Sequence, residues 1–455
     1  MLILNLIFRI FVIMNRTTEQ KFTNTLYTND NLFILNGLNS NLVDLIYLDP
    51  PFNTKKLYSA SIGTKAAGTS FKDMWTWQDV NEAYLETLAN KYPALARFIG
   101  TIGKIHSKSM MSYLTYMVQR IVEMHRILKD TGSLYLHCDP TASHYLKILL
   151  DEIFGKNNFR NEIVWCYKER ELSKKYFNRK HDIIFFYVKS KEYSFNPTRL
   201  LEPYSSGTIK KFNYTDENER KFQIRGKGGK YIGKQGLDIE LEQTNPDWVY
   251  RDYLDKSGGI LPRDWWEIPF LNRAAKERTG YKTQKPIALL KRIILASSNE
   301  GDIVMDPFCG CATTCVAAQQ LGRKWIGIDI SKQAAHLLID RLSDDANLFK
   351  DFINTNLVPQ RTDVTYESPK SKSVRERLYK EQDGICNGCG VAFEIHNLEV
   401  DHIVPKAKGG GDYYENYQLL CSSCNKIKGE RPMEYLRMKI EVREKMLKSQ
   451  IIFGE

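Results

Sequence analysis

A short apolar run ended by two prolines constrains this chain more than any other feature. Residues 42–48 read Leu-Val-Asp-Leu-Ile-Tyr-Leu and are followed by Asp49-Pro50-Pro51-Phe52. A mostly apolar run of this length is typical of a strand buried on both faces of a parallel sheet. Each proline fixes φ and restricts the residue before it, so the strand ends in a stiff turn. The pattern therefore predicts a carboxylate, Asp49, at the carboxyl end of a buried strand.

A second pattern lies far downstream, at residues 301–314, which read GDIVMDPFCGCATT. It predicts a strand, a turn at Gly310 and a helix that starts near Thr313. In doubly wound sheets, a glycine loop that opens a helix at the carboxyl end of a parallel strand binds cofactors. The next strand, residues 325–330, ends with Asp329. An acidic residue about twenty positions after such a loop can accept both ribose hydroxyls.

Taken together, these segments resemble the DNA amino-methyltransferases that use S-adenosylmethionine (SAM). Residues 49–52 resemble catalytic motif IV, the glycine loop and Asp329 resemble motifs I and II, and residues 283–286 (TQKP) resemble motif X. The resemblance covers residues 22–345. The catalytic motif comes first, as in the β group, which includes modification subunits of restriction systems. Asp-Pro-Pro-Phe favours adenine N6 over cytosine N4 as the target.

The resemblance implies a role for each residue of the catalytic tetrad. The Asp49 carboxylate and the Pro50 carbonyl accept the two N–H groups of the target amine, which frees its lone pair for in-line attack. Pro51 stiffens the turn, and Phe52 stacks on a base flipped out of the duplex. The alternative is a Pro-Pro turn with Phe52 as a core residue.

The resemblance also implies a cofactor site in which Lys285 pairs with the SAM carboxylate. Residues 283–286 can also be interpreted as the start of the apolar helix 287–296, with Pro286 in its first turn. The two interpretations are compatible. Ala312 stands where many relatives carry a further glycine. The predicted cofactor-binding residues are Asp306, Pro307, Phe308, Gly310, Thr313, Asp329, Thr283 and Lys285.

Four cysteines near the C-terminus have metal-ligand spacing. The pairs Cys386/Cys389 and Cys421/Cys424 predict a tetrahedral structural Zn²⁺ site. The interval between them contains LEVDHIVP at residues 398–405. This arrangement closely resembles an HNH endonuclease of the four-cysteine type over residues 375–435.

That second resemblance implies a nuclease site. His402 would be the general base that activates water, and Asn416 would orient its imidazole. Asp401 and Asn425 would ligate one Mg²⁺ or a similar divalent cation. The alternative is a zinc-stabilised DNA-binding knuckle without cleavage.

Charge is distributed unevenly along the chain. The net charge is +11, and residues 167–292 hold 27 Lys and Arg against 17 Asp and Glu, a difference of +10. Basic residues interleaved with aromatics suit a phosphate backbone and stacked bases. In the resembled group this segment recognises the target, although a charge run can also be only a solvated face.

We predict an α/β fold: a doubly wound, Rossmann-like methyltransferase sheet with an inserted target-recognition region, and a small ββα-metal HNH domain. The predicted divisions are an extension (1–21), the catalytic half (22–166), the basic target-recognition region (167–270), the SAM-binding half (271–357), a linker (358–374) and the HNH domain (375–455).

The predicted partner is double-stranded DNA, and a homodimer is left open. The remaining five cysteines lack metal spacing and are interpreted as reduced core residues. The apolar residues 1–13 are too short to span a bilayer and are interpreted as the product of an upstream start codon or as a packed extra helix. As a DNA enzyme, the protein is predicted to be cytoplasmic and nucleoid-associated, in a bacterium or phage.

The predicted function is site-specific DNA adenine N6-methylation combined with an HNH endonuclease module, in a restriction–modification or mobile-element context. The alternatives are an N4-cytosine methyltransferase with a non-cleaving tail, and an HNH nuclease that the methyltransferase body directs to its target.

Overall fold

A computed structural model describes most of the chain in two compact units, Phe195–Asp264 and the remainder. The predicted extension, residues 1–21, lies outside the described residues. These are 22–52, 56–59, 70–73, 88, 92–167, 174–272, 274–281, 283–343, 352–406, 410–431, 433, 435–437 and 439–440.

The strands are numbered in chain order. They are β1 (Thr25–Thr28), β2 (Val43–Leu48), β3 (Lys56–Ser59), β4 (Ser70–Asp73), β5 (Leu128–Cys138), β6 (Phe159–Cys166), β7 (His181–Val188), β8 (Tyr214–Thr215), β9 (Lys221–Gly226), β10 (Val249–Tyr253), β11 (Trp265–Glu267), β12 (Ile303–Asp306), β13 (Lys324–Asp329), β14 (Ile353–Thr355), β15 (Leu398–His402) and β16 (Tyr417–Cys421).

The helices are numbered in the same way. They are α1 (Asn31–Gly37), α2 (Pro93–Ile105), α3 (Lys108–Ile127), α4 (Ser143–Phe154), α5 (Ser206–Ile209), α6 (Leu241–Thr244), α7 (Leu254–Ser257), α8 (Ile287–Ser297), α9 (Thr313–Gln320), α10 (Lys332–Ser343), α11 (Lys372–Glu381) and α12 (Ser422–Lys428).

A nine-stranded sheet organises the larger unit, in the order β11-β6-β7-β5-β2-β12-β13-β1-β14. β7 runs antiparallel to β5 and β6, whereas the other paired strands are parallel. β2 and β12, which are distant in sequence, pair directly through Leu45 and Val304. Because their carboxyl ends share one edge, the tetrad and the glycine loop become neighbours there. The predicted doubly wound α/β fold is confirmed.

Both faces of this sheet are covered by helices. Alternate residues of β2 point to opposite faces, so Ile46 joins the core formed with α2, α3 and α4, and Leu45 joins the core formed with α8 and α9. α9 packs closely on β13, since a Cβ at Gly327 would lie 2.8 Å from Cys315 Sγ. None of the nine cysteines forms a disulfide bond.

The smaller unit, Phe195–Asp264, contains the antiparallel sheet β10-β9-β8 with a small core of Phe222, Ile224 and Val249. It lies inside the predicted target-recognition region. The unit holds 12 Lys and Arg against 11 Asp and Glu, a difference of only +1. The basic excess therefore belongs to the flanking segments, 167–194 and 265–292.

The C-terminal module consists of α11, the antiparallel pair β15–β16 and α12. The segment before it, predicted as a linker, makes specific contacts in this structure. Asn39 and Thr362 exchange two hydrogen bonds of 2.8 and 2.7 Å, and Asp363 accepts one from the Ser40 N–H. Further along, the Glu367 N–H donates to the Asp412 carbonyl at 2.8 Å. The segment thus contacts both the sheet body and the module.

No helix within the described ranges is long and apolar enough to cross a bilayer.

Candidate active site and metal centre

A cavity of about 490 Å³ opens at the carboxyl edge of the large sheet. Small-molecule sites typically have volumes of about 300–1,000 Å³. Every residue predicted for methyl transfer or cofactor binding lines this cavity. These residues are Asp49, Pro50, Pro51, Phe52, Thr283, Lys285, Asp306, Pro307, Phe308, Gly310, Thr313 and Asp329.

Asp49 is placed directly after β2 and forms an ion pair across the cavity. Its Oδ2 accepts a hydrogen bond from Lys285 Nζ at 2.5 Å, and the two side chains are 16% and 10% exposed. Asp49 Oδ1 is buried and has no hydrogen-bond partner among the described residues. A buried carboxylate oxygen without a donor is costly, and it is suited to accept a hydrogen bond from a ligand.

Phe52 is half-buried and lies beside the buried imidazole of His137, with ring centroids 5.8 Å apart. His137 Nδ1 bonds the Tyr47 hydroxyl at 2.8 Å, and Nε2 bonds Asp182 Oδ2 at 3.1 Å. Burial of Asp182 opposes its ionisation. The hydrogen bond with His137 and other favourable contacts together outweigh that effect, so the pKa of Asp182 is lowered. The Phe52 ring therefore packs beside a buried hydrogen-bonded network.

Asp306 ends β12 and is almost fully buried. Its Oδ1 accepts the Phe308 N–H at 3.0 Å, and its Oδ2 accepts the Thr314 hydroxyl at 2.5 Å. Burial raises the pKa of Asp306 to about 7, although both hydrogen bonds act in the opposite direction.

Asp329 ends β13 and holds the glycine loop. Its two oxygens accept the N–H groups of Gly310 and Ser331, each at 2.8 Å. Burial raises the pKa of Asp329 to about 6. α9 begins at Thr313, as predicted, and is preceded by Ala312 in the left-handed region, with φ 58°. A glycine would adopt this φ without the cost of about 1 kcal/mol that a Cβ adds there.

The four C-terminal cysteines converge. The sulfurs of Cys386, Cys389, Cys421 and Cys424 all lie within 4.8 Å of one another. The backbone N–H of Cys421 donates to Cys386 Sγ at 3.2 Å. Four thiolates about 2.3 Å from a shared ion form a tetrahedral Zn²⁺ site, and these residues fit that arrangement. Gly388 is required here because a Cβ would lie 2.9 Å from Cys424 Sγ.

His402 ends β15 and is oriented by Asp412. His402 Nε2 bonds Asp412 Oδ1 at 2.8 Å, and the Tyr417 hydroxyl oxygen lies 3.2 Å from the same carboxylate oxygen. The predicted role of Asn416 requires a correction. Its side chain bonds the backbone of Val404 and Gly411 and so holds the loop instead of the imidazole. Both amide hydrogens are donated to those carbonyls, and in this structure the Asp412 carboxylate contacts the imidazole.

The two predicted Mg²⁺ ligands have protein partners here. Asp401 Oδ2 pairs with the buried Lys428 ammonium at 2.9 Å and accepts from Gln418 at 3.0 Å. Asn425 Nδ2 donates to Glu399 at 2.5 Å. The oxygens that suit a hard cation are therefore Asp401 Oδ1 and Asn425 Oδ1. Ligation by this pair stays a prediction.

Comparison with known proteins matches residues 43–340 to the DNA methylase family of N6 and N4 methyltransferases. The chain belongs to this family. Residues 386–431 match the HNH endonuclease family. The methylase body therefore carries a C-terminal HNH domain, in agreement with the prediction from sequence.

The chain is similar in sequence to several known proteins, among them three relatives that differ in identity and coverage. The type II methyltransferase M.EcaI of Enterobacter cloacae is 34% identical over 55% of this chain and 61% of its own length. DNA adenine methyltransferase YhdJ of Escherichia coli is 28% identical over 70% of this chain and 82% of its own. The type III restriction-modification enzyme StyLTI Mod subunit of Salmonella typhimurium is 26% identical over 68% and 52%. The chain thus spans less than two thirds of the first and third of these relatives.

Several residues around the methylase cavity were not predicted from sequence. They are Tyr47, His137, Asp182, Tyr281 and Thr314. One signal was present, because a histidine inside the apolar strand β5 needs a buried partner. The identity of that partner, Asp182 on β7, depends on the antiparallel pairing of β5 with β7.

Proposed function

We propose that this protein transfers a methyl group from SAM to adenine N6 in double-stranded DNA, and that its HNH domain hydrolyses DNA. The observation that carries the first part is the buried Asp49 Oδ1, which has no donor among the described residues and lies in a cavity that Asp306 and Asp329 also line. The name of the relative YhdJ, a DNA adenine methyltransferase, supports adenine as the target.

The charges around the cavity suit SAM, whose sulfonium and ammonium outnumber its one carboxylate. The described lining contains four acids, Asp30, Asp49, Asp306 and Asp329, and one cation, Lys285. Asp329 would accept the ribose hydroxyls, and Lys285 would bind the methionine carboxylate. When bound, SAM supplies an activated methyl group.

The protein's own groups would activate the amine. Asp49 Oδ1 and the Pro50 carbonyl each accept one amine N–H, which draws the nitrogen lone pair out of conjugation with the ring. The amine would take the methyl group that SAM supplies, and Asp49 would receive the proton that the amine loses. Phe52 would stack on the flipped base.

Nucleoside mass spectrometry tests this function. Unmodified DNA is incubated with the purified protein and SAM, without divalent metal. We expect N6-methyladenine. N4-methylcytosine would keep the mechanism and change the target, whereas no methylated nucleoside, with SAM binding intact, would contradict the proposal.

SAM binding should depend on pH through Asp306 and Asp329. Their pKa values of about 7 and about 6 lie above the ordinary 3.8. Without ligand, the unfolded chain therefore loses these protons at lower pH than the folded protein does, and the stability of the fold decreases as pH rises from about 3.8 to about 7. A cationic ligand favours the ionised forms, so we expect its affinity to increase from pH 5.5 to pH 8 and binding near pH 6.5 to release protons. Titration calorimetry in two buffers of different ionisation enthalpy measures that release. Proton uptake would contradict this account.

For the HNH domain we infer a one-cation nuclease in which His402 activates water. Asp401 and Asn425 would hold a divalent cation, which when bound stabilises charge on the phosphate. The restriction-modification relative supports a setting in which methylation marks DNA that the nuclease leaves uncut.

The variant His402→Ala should lose Mg²⁺-dependent nicking by about 10³-fold, because a general base contributes roughly 10²–10⁴. Methylation should stay unchanged. His396→Ala is the matched control, since His396 is exposed on a short 3₁₀ turn of the same domain. Nicking that survives in His402→Ala at the wild-type rate would leave the domain as a DNA-binding module.

A further inference from the structure

The ion pair between Lys285 and Asp49 joins two groups for which the proposed function assigns different partners. In that proposal, Asp49 binds the target amine and Lys285 binds the cofactor carboxylate. In this structure they bind each other at 2.5 Å, although they lie 236 residues apart in sequence. Lys285 Nζ also lies 5.2 Å from the centre of the Phe52 ring. The lysine thus contacts the catalytic tetrad at two points.

The described residues that line the cavity offer an incoming carboxylate few cationic partners. Lys285 is the single cation in the described lining of the cavity. Arg120 pairs with Asp30 at 3.0 Å but does not belong to that lining. Asp306 and Asp329 accept neutral N–H or O–H donors. Among the described lining residues, a ligand carboxylate can therefore form an ion pair only with the ammonium that Asp49 already contacts.

We propose that the cofactor carboxylate competes with Asp49 for Lys285, so that cofactor binding weakens the ion pair and leaves the Asp49 carboxylate with more of its negative charge for the target amine. This inference rests on the proposed function. An ammonium has three donors, but its single charge is shared when two carboxylates contact it, so each contact weakens the other. Until the cofactor binds, Lys285 offsets the charge of the Asp49 carboxylate through Oδ2, which favours binding of the cofactor before the base.

The test compares the affinities of SAM and of decarboxylated SAM, which keeps the sulfonium and lacks the carboxylate. Dissociation constants are measured by calorimetry, without DNA, for the full-length wild type, Asp49→Asn, Lys285→Gln and the double variant. The ratio of the two affinities isolates the carboxylate contact, because any effect of Asp49 on the sulfonium is common to both ligands.

We expect the preference for SAM over decarboxylated SAM to increase about tenfold in Asp49→Asn, within the usual range of coupling between sites. Lys285→Gln should reduce the preference, and Asp49→Asn should add nothing in the Lys285→Gln background. A purely structural role for either residue would not change this ratio. Thermal melting of each variant verifies folding.

An unchanged ratio in Asp49→Asn, with both ligands bound, would overturn the competition and leave the methyltransferase proposal standing. The competition would also be overturned if the increased preference for SAM persisted in the double variant, because that increase would then not depend on Lys285. If neither ligand binds the folded wild type, the proposed function itself fails and the inference fails with it. The outcomes are therefore distinguishable.

Discussion

Replacing Asp49 by Asn should reduce methylation by about 10³-fold while the protein still binds SAM. The loss follows because the amide is neutral, so it accepts the amine hydrogen bond more weakly and cannot receive its proton. Removal of one preorganised group at a site of developing charge typically costs about 10²–10³ in rate. Single-turnover methylation of unmodified DNA, with saturating SAM, measures the effect on the chemical step.

Asp44→Asn provides the matched control for this experiment. Asp44 lies on the same strand, β2, outside the described lining of the cavity, and pairs with Lys129 at 2.9 Å. Its Oδ2 also accepts the Ile303 N–H at 2.9 Å. This variant should lose some stability and keep its methylation rate. If Asp49→Asn methylates as fast as the control, Asp49 does not activate the amine.

Removing two of the four clustered thiols should unfold the HNH domain and leave the methylase body active. In the double variant Cys421→Ser, Cys424→Ser, the remaining two sulfurs cannot form a tetrahedral site. Structural Zn²⁺ contributes apparent free energies of about 10–16 kcal/mol in small zinc domains. The domain has only a small core of its own, including Val374, Leu398 and Leu419, so we expect it to depend strongly on the metal.

Three measurements follow this change. Elemental analysis should fall from one zinc per chain to none, limited proteolysis should cut within residues 375–440, and methylation should persist. Cys166→Ser is the control, since Cys166 is half-buried in the body and lies outside the cluster. Zinc retained at full stoichiometry by the double variant would show that these thiols do not hold it.

The connecting segment, residues 358–374, also makes hydrogen bonds that link the two modules. Tyr417, whose hydroxyl contacts Asp412, also donates to the Glu367 carbonyl at 2.6 Å. Asp412 in turn orients His402. The segment that contacts Asn39 and Ser40 of the body therefore also supports the predicted nuclease site. The two modules are joined by specific hydrogen bonds in addition to the covalent chain.

The sequence by itself determined the two modules, the type of sheet and the residues of the tetrad, the glycine loop and residues 283–285 that line the cavity. Local patterns sufficed, because a buried strand that ends in Pro-Pro, or in a glycine loop before a helix, has few alternative conformations. The spacing of Cys386 and Cys389, and of Cys421 and Cys424, likewise predicted the sulfur cluster. All of these features depend on residues that are close in sequence.

Only the tertiary structure decided which side chains became partners. Lys285 binds Asp49, His137 binds Asp182, and Asp412 takes the orienting role that the sequence had suggested for Asn416. Hydrogen bonds and ion pairs act over about 3 Å, so their formation depends on strand order, register and loop path. Those are properties of the whole chain, because β2 meets β12, and β5 meets β7, only after long connections have closed.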